Sequence, residues 1–198
     1  MKKIVLMTLL ALGFTSCSED DSTTETLTNT EKEDLLRLRE EEKLARDVYL
    51  YAYDTYGLTI SNNISQSEQM HMDKILSLLN KYGLDDPALP ARGAFNNQTL
   101  QSLYDQLTAQ VDISELEALK VGATIEDLDI YDIEEFESHT NKNDILDAYS
   151  KLKCGSRNHM RAYYADLISR GYTYEAQFIT ATELSDIVNS DRERCGRN

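Results

Sequence analysis

An acid and a histidine three residues apart, Glu68 and His71, interrupt an apolar helical stripe. Ile64, Glu68, His71, Ile75, Leu78 and Tyr82 step by alternating fours and threes. Residues at that spacing share one face of a helix, and a stripe of this period faces a core. An unpaired charge on such a face costs several kcal/mol, so both side chains need partners. Two arrangements supply them: a histidine hydrogen-bonded to a nearby acid, or a metal ion held by both groups.

Three other stretches repeat the pattern. A helix over about Glu31 to Tyr56, stopped by Gly57, carries the stripe Leu35, Leu38, Glu42, Ala45, Tyr49, Ala52 and Tyr56. Glu42 falls on that stripe, Glu41 borders it, and Glu40 lies off it and reads as solvated. The helix with Glu68 is predicted to begin near Asn63, where Asn63 and Gln66 have capping-box spacing, and to end at Tyr82-Gly83. A third helix, about Ser114 to Glu137, has Leu119, Gly122, Glu126, Asp129 and Ile133 in register; Asp127, Asp132, Glu134, Glu135 and Glu137 read mostly as surface. The fourth starts after Thr140-Asn141, with Asn141 and Asp144 placed to cap it. It runs through Ile145, Tyr149, Leu152, Ser156, His159 and Tyr163 to Leu167. Gly155 within it costs about 1 kcal/mol relative to alanine and permits close backbone approach.

Between the second and third helices, Pro87, Pro90, Gly93 and Phe95 mark a connection too long for a tight turn. It reads as a crossover along a bundle, with a short helix, Gln98 to Thr108, packed outside through Leu100, Leu103, Tyr104 and Leu107. A last short helix spans Thr182 to Asn189, and Arg192, Arg194 and Arg197 read as a solvated tail. No stretch alternates as a strand would. Two prolines, eight glycines and no tryptophan agree with an all-α chain.

The formal net charge of −15 argues against a nucleic-acid partner, since phosphate binding needs a basic footprint. At the N-terminus, Lys2-Lys3, the apolar run Ile4 to Phe14, and Thr15-Ser16-Cys17 resemble a bacterial lipoprotein signal. That resemblance implies removal of residues 1–16 and acylation of Cys17, which would anchor the chain to a lipid bilayer. The acidic, serine-containing Ser18 to Ser22 resembles the export signal of surface lipoproteins of the Bacteroidetes type, so the expected place is the cell envelope, in the outer membrane or at the cell surface. Ordinary secretion with a free Cys17 is the alternative. Residues 17–30 read as a flexible tether, 31–190 as one helical domain and 191–198 as a tail. Cys154 and Cys195 are either a disulfide, as exported proteins permit, or two free thiols.

Metal-competent groups in core register thus occur on all four long helices: Glu42; Glu68 and His71; Glu126 with Asp129; and His159. Solvation does not explain acids in core register. The competing account is ion pairing with Arg46, Arg157 and Arg161. Tyr49 and Tyr163, one or two turns from these groups, could pack the core, orient carboxylates or carry electrons.

The segment Glu42-Lys43-Leu44-Ala45-Arg46-Asp47-Val48-Tyr49 resembles the first ligand helix of rubrerythrins and other ferritin-like proteins. Glu68-x-x-His71 resembles their second, Glu126 stands at their third-helix glutamate, and Ser156-Arg157-Asn158-His159 resembles their final Glu-x-x-His. The runs at 41–49, 67–71, 121–126 and 155–161 together resemble a ferritin-like domain family of unknown function in bacteria and archaea, over about Leu35 to Ile187. The resemblance implies a ferritin-like four-helix bundle with one long crossover and a short extra helix. It implies one or two Fe ions, with Mn or Zn also compatible with the ligand types. Glu42 and His71 would hold one ion, Glu126 and His159 the other, and Glu68 would bridge. Ser156 stands where the pattern has a carboxylate; Asp129, one turn from Glu126, is the candidate replacement. The implied activity is that of a di-iron oxidase or peroxide reductase. Metal binding without turnover, and a metal-free structural or interaction lipoprotein, are the alternatives.

Overall fold

The computed structural model describes residues 26–196. Cys17, the predicted signal segment 1–16, most of the tether, and Arg197 lie outside the described residues. Among the described residues there are six helices and no strand: α1 (Asn29–Tyr56), α2 (Thr59–Lys81), α3 (Gln98–Val111), α4 (Glu115–Glu137), α5 (Asn143–Ser169) and α6 (Ala181–Val188). No helix among them is long and apolar enough to cross a membrane.

The four long helices form two hairpins, α1–α2 and α4–α5, set side by side, with α1 against α4 and α2 against α5. Helix α1 begins two residues before the expected boundary. Thr28 caps it, its Oγ1 accepting from the Glu31 N–H at 3.1 Å while Glu31 Oε2 accepts from the Thr28 N–H at 2.7 Å. This reciprocal box satisfies two donors that a helix start leaves unpaired. Gly57 ends the helix in the left-handed region, at φ 71°, where glycine carries no Cβ penalty. Helix α2 then starts at once, at Thr59 rather than near Asn63. Leu58, 5% exposed, drives that early start by burying itself in the core at the hairpin corner. Asn63 therefore lies inside α2, and its capping signal is not used. Nor do Asn141 and Asp144 cap α5; its N-cap position is Lys142, without a side-chain cap. The crossover and α3 pack over α1 and α4, and α6 packs on α5, so the bundle architecture expected from the stripes is the one observed.

The core is split into two apolar clusters. One holds Val48, Tyr49, Ile64, Leu119, Ala123, Met160 and Tyr163 and extends to α3 and α6. The other holds Leu35, Leu38, Ile75, Leu78, Ile133, Ile145 and Leu152. On every long helix the polar stripe positions lie between residues of the two clusters. A polar layer is therefore sandwiched at mid-height, shielded above and below.

Several acids expected at the surface are buried, two of them by connecting segments. Glu40, 4% exposed, accepts from the backbone N–H of Asn96 at 2.7 Å and of Asn97 at 3.2 Å. Asp127 is fully buried and accepts from Tyr174 Oη and from the backbone N–H groups of Gln177, Phe178 and Ile179. Asp132, 3% exposed, pairs with Arg37 at 2.8 Å. The off-stripe faces of α1 and α4 thus anchor the crossover and the segment before α6, replacing solvent with backbone donors. Glu134 and Glu135 are exposed, as expected. Cys154 and Cys195 are bonded, with Cα atoms 5.6 Å apart, and Glu193 pairs with Arg157 and Arg161, so the segment from Glu193 to Cys195 lies along α5.

Candidate metal centre

Each ligand candidate reaches the polar layer from a different helix turn. Glu42, Glu68 and His71 each offer one ligand atom within 4.8 Å of the others, and Glu68, Glu126 and His159 form a second such group. Glu68 is common to both. Its Oε2 lies 2.7 Å from His71 Nδ1 and its Oε1 lies 2.9 Å from His159 Nδ1, so its two oxygens face different histidines. Glu42 Oε2 stands 3.1 Å from His71 Nδ1, and Glu126 Oε2 stands 3.4 Å from His159 Nδ1. The two imidazoles lie nearly parallel with centroids 5.7 Å apart.

Neighbouring groups orient the ligands. His159 Nε2 is 3.1 Å from Ser67 Oγ; an Nε2–H donated there leaves the Nδ1 lone pair facing the carboxylates. Tyr49, fully buried, donates its hydroxyl to Glu126 Oε1 at 2.5 Å, leaving Oε2 toward His159. Tyr163 stacks near Tyr49 at 5.5 Å, and its hydroxyl meets Ser61 Oγ at 3.3 Å. At Gly155 a Cβ would stand 2.6 Å from His71 Nε2. The glycine expected to allow close approach does so by letting the His71 ring rest against the α5 backbone. Asp129 belongs to neither group. It is half-buried and accepts a hydrogen bond from Ser156 Oγ. The hydroxyl that stands in the expected carboxylate position thus holds a carboxylate of α4.

Electrostatics in the layer are extreme. Burial pushes the Glu42 carboxyl up and His71 pulls it back, with Glu68 adding repulsion, for a net value of about 8. Burial also raises Glu126, against the pull of His159, and raises Asp129 well above the carboxylate range, helped by Glu42 and Glu126. Glu68 goes the other way: burial would raise it, but His159 and His71 hold it far below the usual range. Burial lowers both histidines, yet Glu42 and Glu68 carry His71 well above its ordinary value, and Glu68 and Glu126 carry His159 to about 10. Without an ion, protons hold the layer together.

That arrangement leaves buried atoms unsatisfied. Glu42 Oε1 has no hydrogen-bond partner, and Glu68 Oε1 and His159 Nδ1 face each other at 2.9 Å without a well-aligned hydrogen bond, although buried polar atoms are nearly always paired. Two imidazoles and three carboxylates suit a transition metal of mixed hard and borderline preference. The arginines that offered a competing account are engaged elsewhere: Arg46 with Asp47 and Gln69, Arg157 and Arg161 with Glu193.

The sequence reading missed Ser67, which has no helix-register signal toward the core but precedes Glu68. It also understated Glu41, which is buried, pairs with Arg37 at 2.6 Å, and is raised to about 8 by burial and by Asp132 against the pull of Arg37.

Known proteins match over this same region. A family model described as an uncharacterized protein domain (DUF2202) matches residues 31–191. An uncharacterized protein of the archaeon Methanocaldococcus jannaschii, MJ0754, is 48% identical over 165 residues, which cover 83% of this chain and 89% of that protein. The crystal structure of hypothetical protein MJ0754 superposes with a TM-score of 0.84 at 46% identity, covering 85% of this chain and 97% of that one. The family match spans the bundle and every residue of both ligand groups, and the chain belongs to the uncharacterized DUF2202 family.

Proposed function

We propose that this chain is a ferritin-like protein that holds two transition-metal ions, iron foremost, between its two apolar clusters. Glu42 and His71 would hold one ion, Glu126 and His159 the other, with Glu68 bridging. The observation that carries the reading is the convergence of three buried carboxylates and two imidazoles in two groups that share Glu68, with Glu42 Oε1 left without a hydrogen-bond partner. Two Fe(II) ions would supply two electrons, enough with two protons to reduce dioxygen to peroxide or peroxide to water. The protein's part is to orient the ligands through Ser67 and Tyr49 and to keep the layer dry. Asp129 is close enough, one turn from Glu126, to serve as a reserve carboxylate released from Ser156 by rotation.

Elemental analysis of protein purified without chelators tests this. About two equivalents of Fe, Mn or Zn are expected after reconstitution, and fewer than about a tenth of an equivalent would sink the metal reading. Mixing the Fe(II) form with dioxygen or peroxide separates redox function from storage or structural binding. A metal-loaded protein whose optical spectrum stays unchanged, with no peroxide consumed, is a binder.

Acylation of Cys17, with anchoring of the chain in the cell envelope, is part of the same proposal. The Cys154–Cys195 bond supports an oxidising compartment. Cys17→Ser is expected to move the protein from the membrane fraction to the soluble one. An unchanged distribution would remove the lipid anchor from the reading.

A further inference from the structure

A cleft opens on the outer side of the polar layer, where α3 lies across α1 and α4. Leu44, Leu100, Leu103, Ile125 and Leu128 form its walls, and Asp129 lies at its edge toward the site. Its total space, open to solvent on one side, is about 300 Å³, of which the part enclosed enough to hold a guest fits about one water-sized molecule. Glu41 and Asp132 also border it, but Arg37 pairs with both, at 2.6 and 2.8 Å. Asp129 is turned to Ser156. One oxygen of each acid around the cleft is engaged by Arg37 or Ser156, Glu41 Oε2 is buried without a partner, and the surface facing the space is mostly hydrocarbon.

Asp129 connects the cleft to the centre. It is half-buried, one turn from Glu126 on α4, and bonded to Ser156, which adjoins Gly155 and lies one turn from His159. Asp129 thus borders the narrow apolar space and lies one turn from a residue of the ligand groups.

We propose that this cleft admits and holds dioxygen, a small neutral apolar molecule, beside the metal layer. The proposal rests on the metal-centre function above. A cation would find little exposed polar surface there. Hydrogen peroxide, with two hydroxyl groups to desolvate, would lose hydrogen bonds on entering an apolar space. The cleft is therefore selective between the two oxidants, and peroxide must reach the layer by another path, such as the α2–α5 seam, where the His71 and His159 side chains are each 11% exposed.

Two measurements on the full chain test this. Crystals pressurised with xenon, a stand-in for dioxygen, are expected to show xenon between Leu44, Leu103 and Ile125; an empty cleft overturns the proposal whether or not metal is present. Leu103→Trp and Leu128→Trp, both at half-buried positions, fill the space from different helices. In each folded variant, metal content and the rate with peroxide should match the wild type, while the rate of Fe(II) oxidation by dioxygen falls about tenfold or more. Unchanged dioxygen rates, or equal losses with both oxidants, overturn it. Wild-type protein that takes up no metal defeats the metal reading instead, and the xenon map still decides the cleft.

Discussion

Glu68→Ala is expected to abolish binding at both ion positions, reducing metal content from about two equivalents to near zero and weakening affinity at least about a hundredfold. The reason is geometric. Glu68 alone places one oxygen at 2.7 Å from His71 and the other at 2.9 Å from His159, so its loss opens both ligand groups together. Glu42→Ala and Glu126→Ala each remove a ligand from one group and should leave about one equivalent. Glu68→Gln keeps the side-chain volume and guards against a merely unfolded variant; it should fold and still fail to bind. Glu40→Ala is the control. Glu40 is as buried as the ligands but accepts the Asn96 and Asn97 N–H groups, so its loss should cost about 1–3 kcal/mol of stability and no metal. Equal metal loss in Glu40→Ala and Glu68→Ala would refute the assignment by helix register.

That control also shows where sequence reading succeeds and where it stops. Helix periodicity placed Glu42, Glu68, His71, Glu126 and His159 on one layer because each long helix presents a single stripe to the bundle axis. It also gave the crossover, since the segment with Pro87 and Pro90 is too long for a turn. It failed for Glu40, Asp127 and Asp132. Periodicity identifies the face turned toward the bundle axis, but Glu40 and Asp127 are buried by irregular segments, whose paths leave no periodic trace, and Asp132 is paired with Arg37 of α1. The donors that satisfy Asp127, the backbone N–H groups of 177–179, are present in any sequence and so carry no signal. The start of α2 was misplaced for a related reason. A local capping pattern at Asn63 and Gln66 was overridden by burial of Leu58 at the hairpin corner, a tertiary effect larger than one cap.

The structure also bears on arginine ion pairing as an account of the polar layer. A buried ion-pair network would bring cationic side chains to Glu42, Glu68 and Glu126. Arg46, Arg157 and Arg161 instead satisfy Asp47, Gln69 and Glu193. Only two imidazoles remain to face three carboxylates in the two ligand groups, with Asp129 beside them. Protonated histidines can compensate part of that charge, and Tyr49 stabilises one oxygen of Glu126. Glu42 Oε1 still lacks a donor, and Glu68 Oε1 has only the poorly aligned His159 Nδ1 at 2.9 Å. On the proposed function, divalent ions would satisfy these atoms and neutralise the carboxylates at once, letting a polar layer persist between two apolar clusters.

Removing the metal is therefore expected to lower the midpoint of thermal unfolding by about 10 °C or more. One ion present at a thousandfold its dissociation constant contributes about 4 kcal/mol, and in a domain of this size each kcal/mol moves the midpoint by about 2–4 °C. The same exchange must release protons. In the ion-free layer Glu42 titrates at about 8, His159 at about 10 and His71 well above its ordinary value, so all three are largely protonated at pH 7. Ligation requires their deprotonated forms. Metal therefore competes with protons, and affinity rises with pH, by about tenfold per pH unit for each proton displaced. Glu68, already ionised because both histidines hold it low, contributes nothing to that slope. Calorimetric titrations in buffers of different ionisation enthalpy should return about two or more protons released at pH 7. Zero release, together with a midpoint unmoved by chelation, would mean that the histidines and carboxylates form a self-sufficient hydrogen-bonded layer and that no ion belongs there.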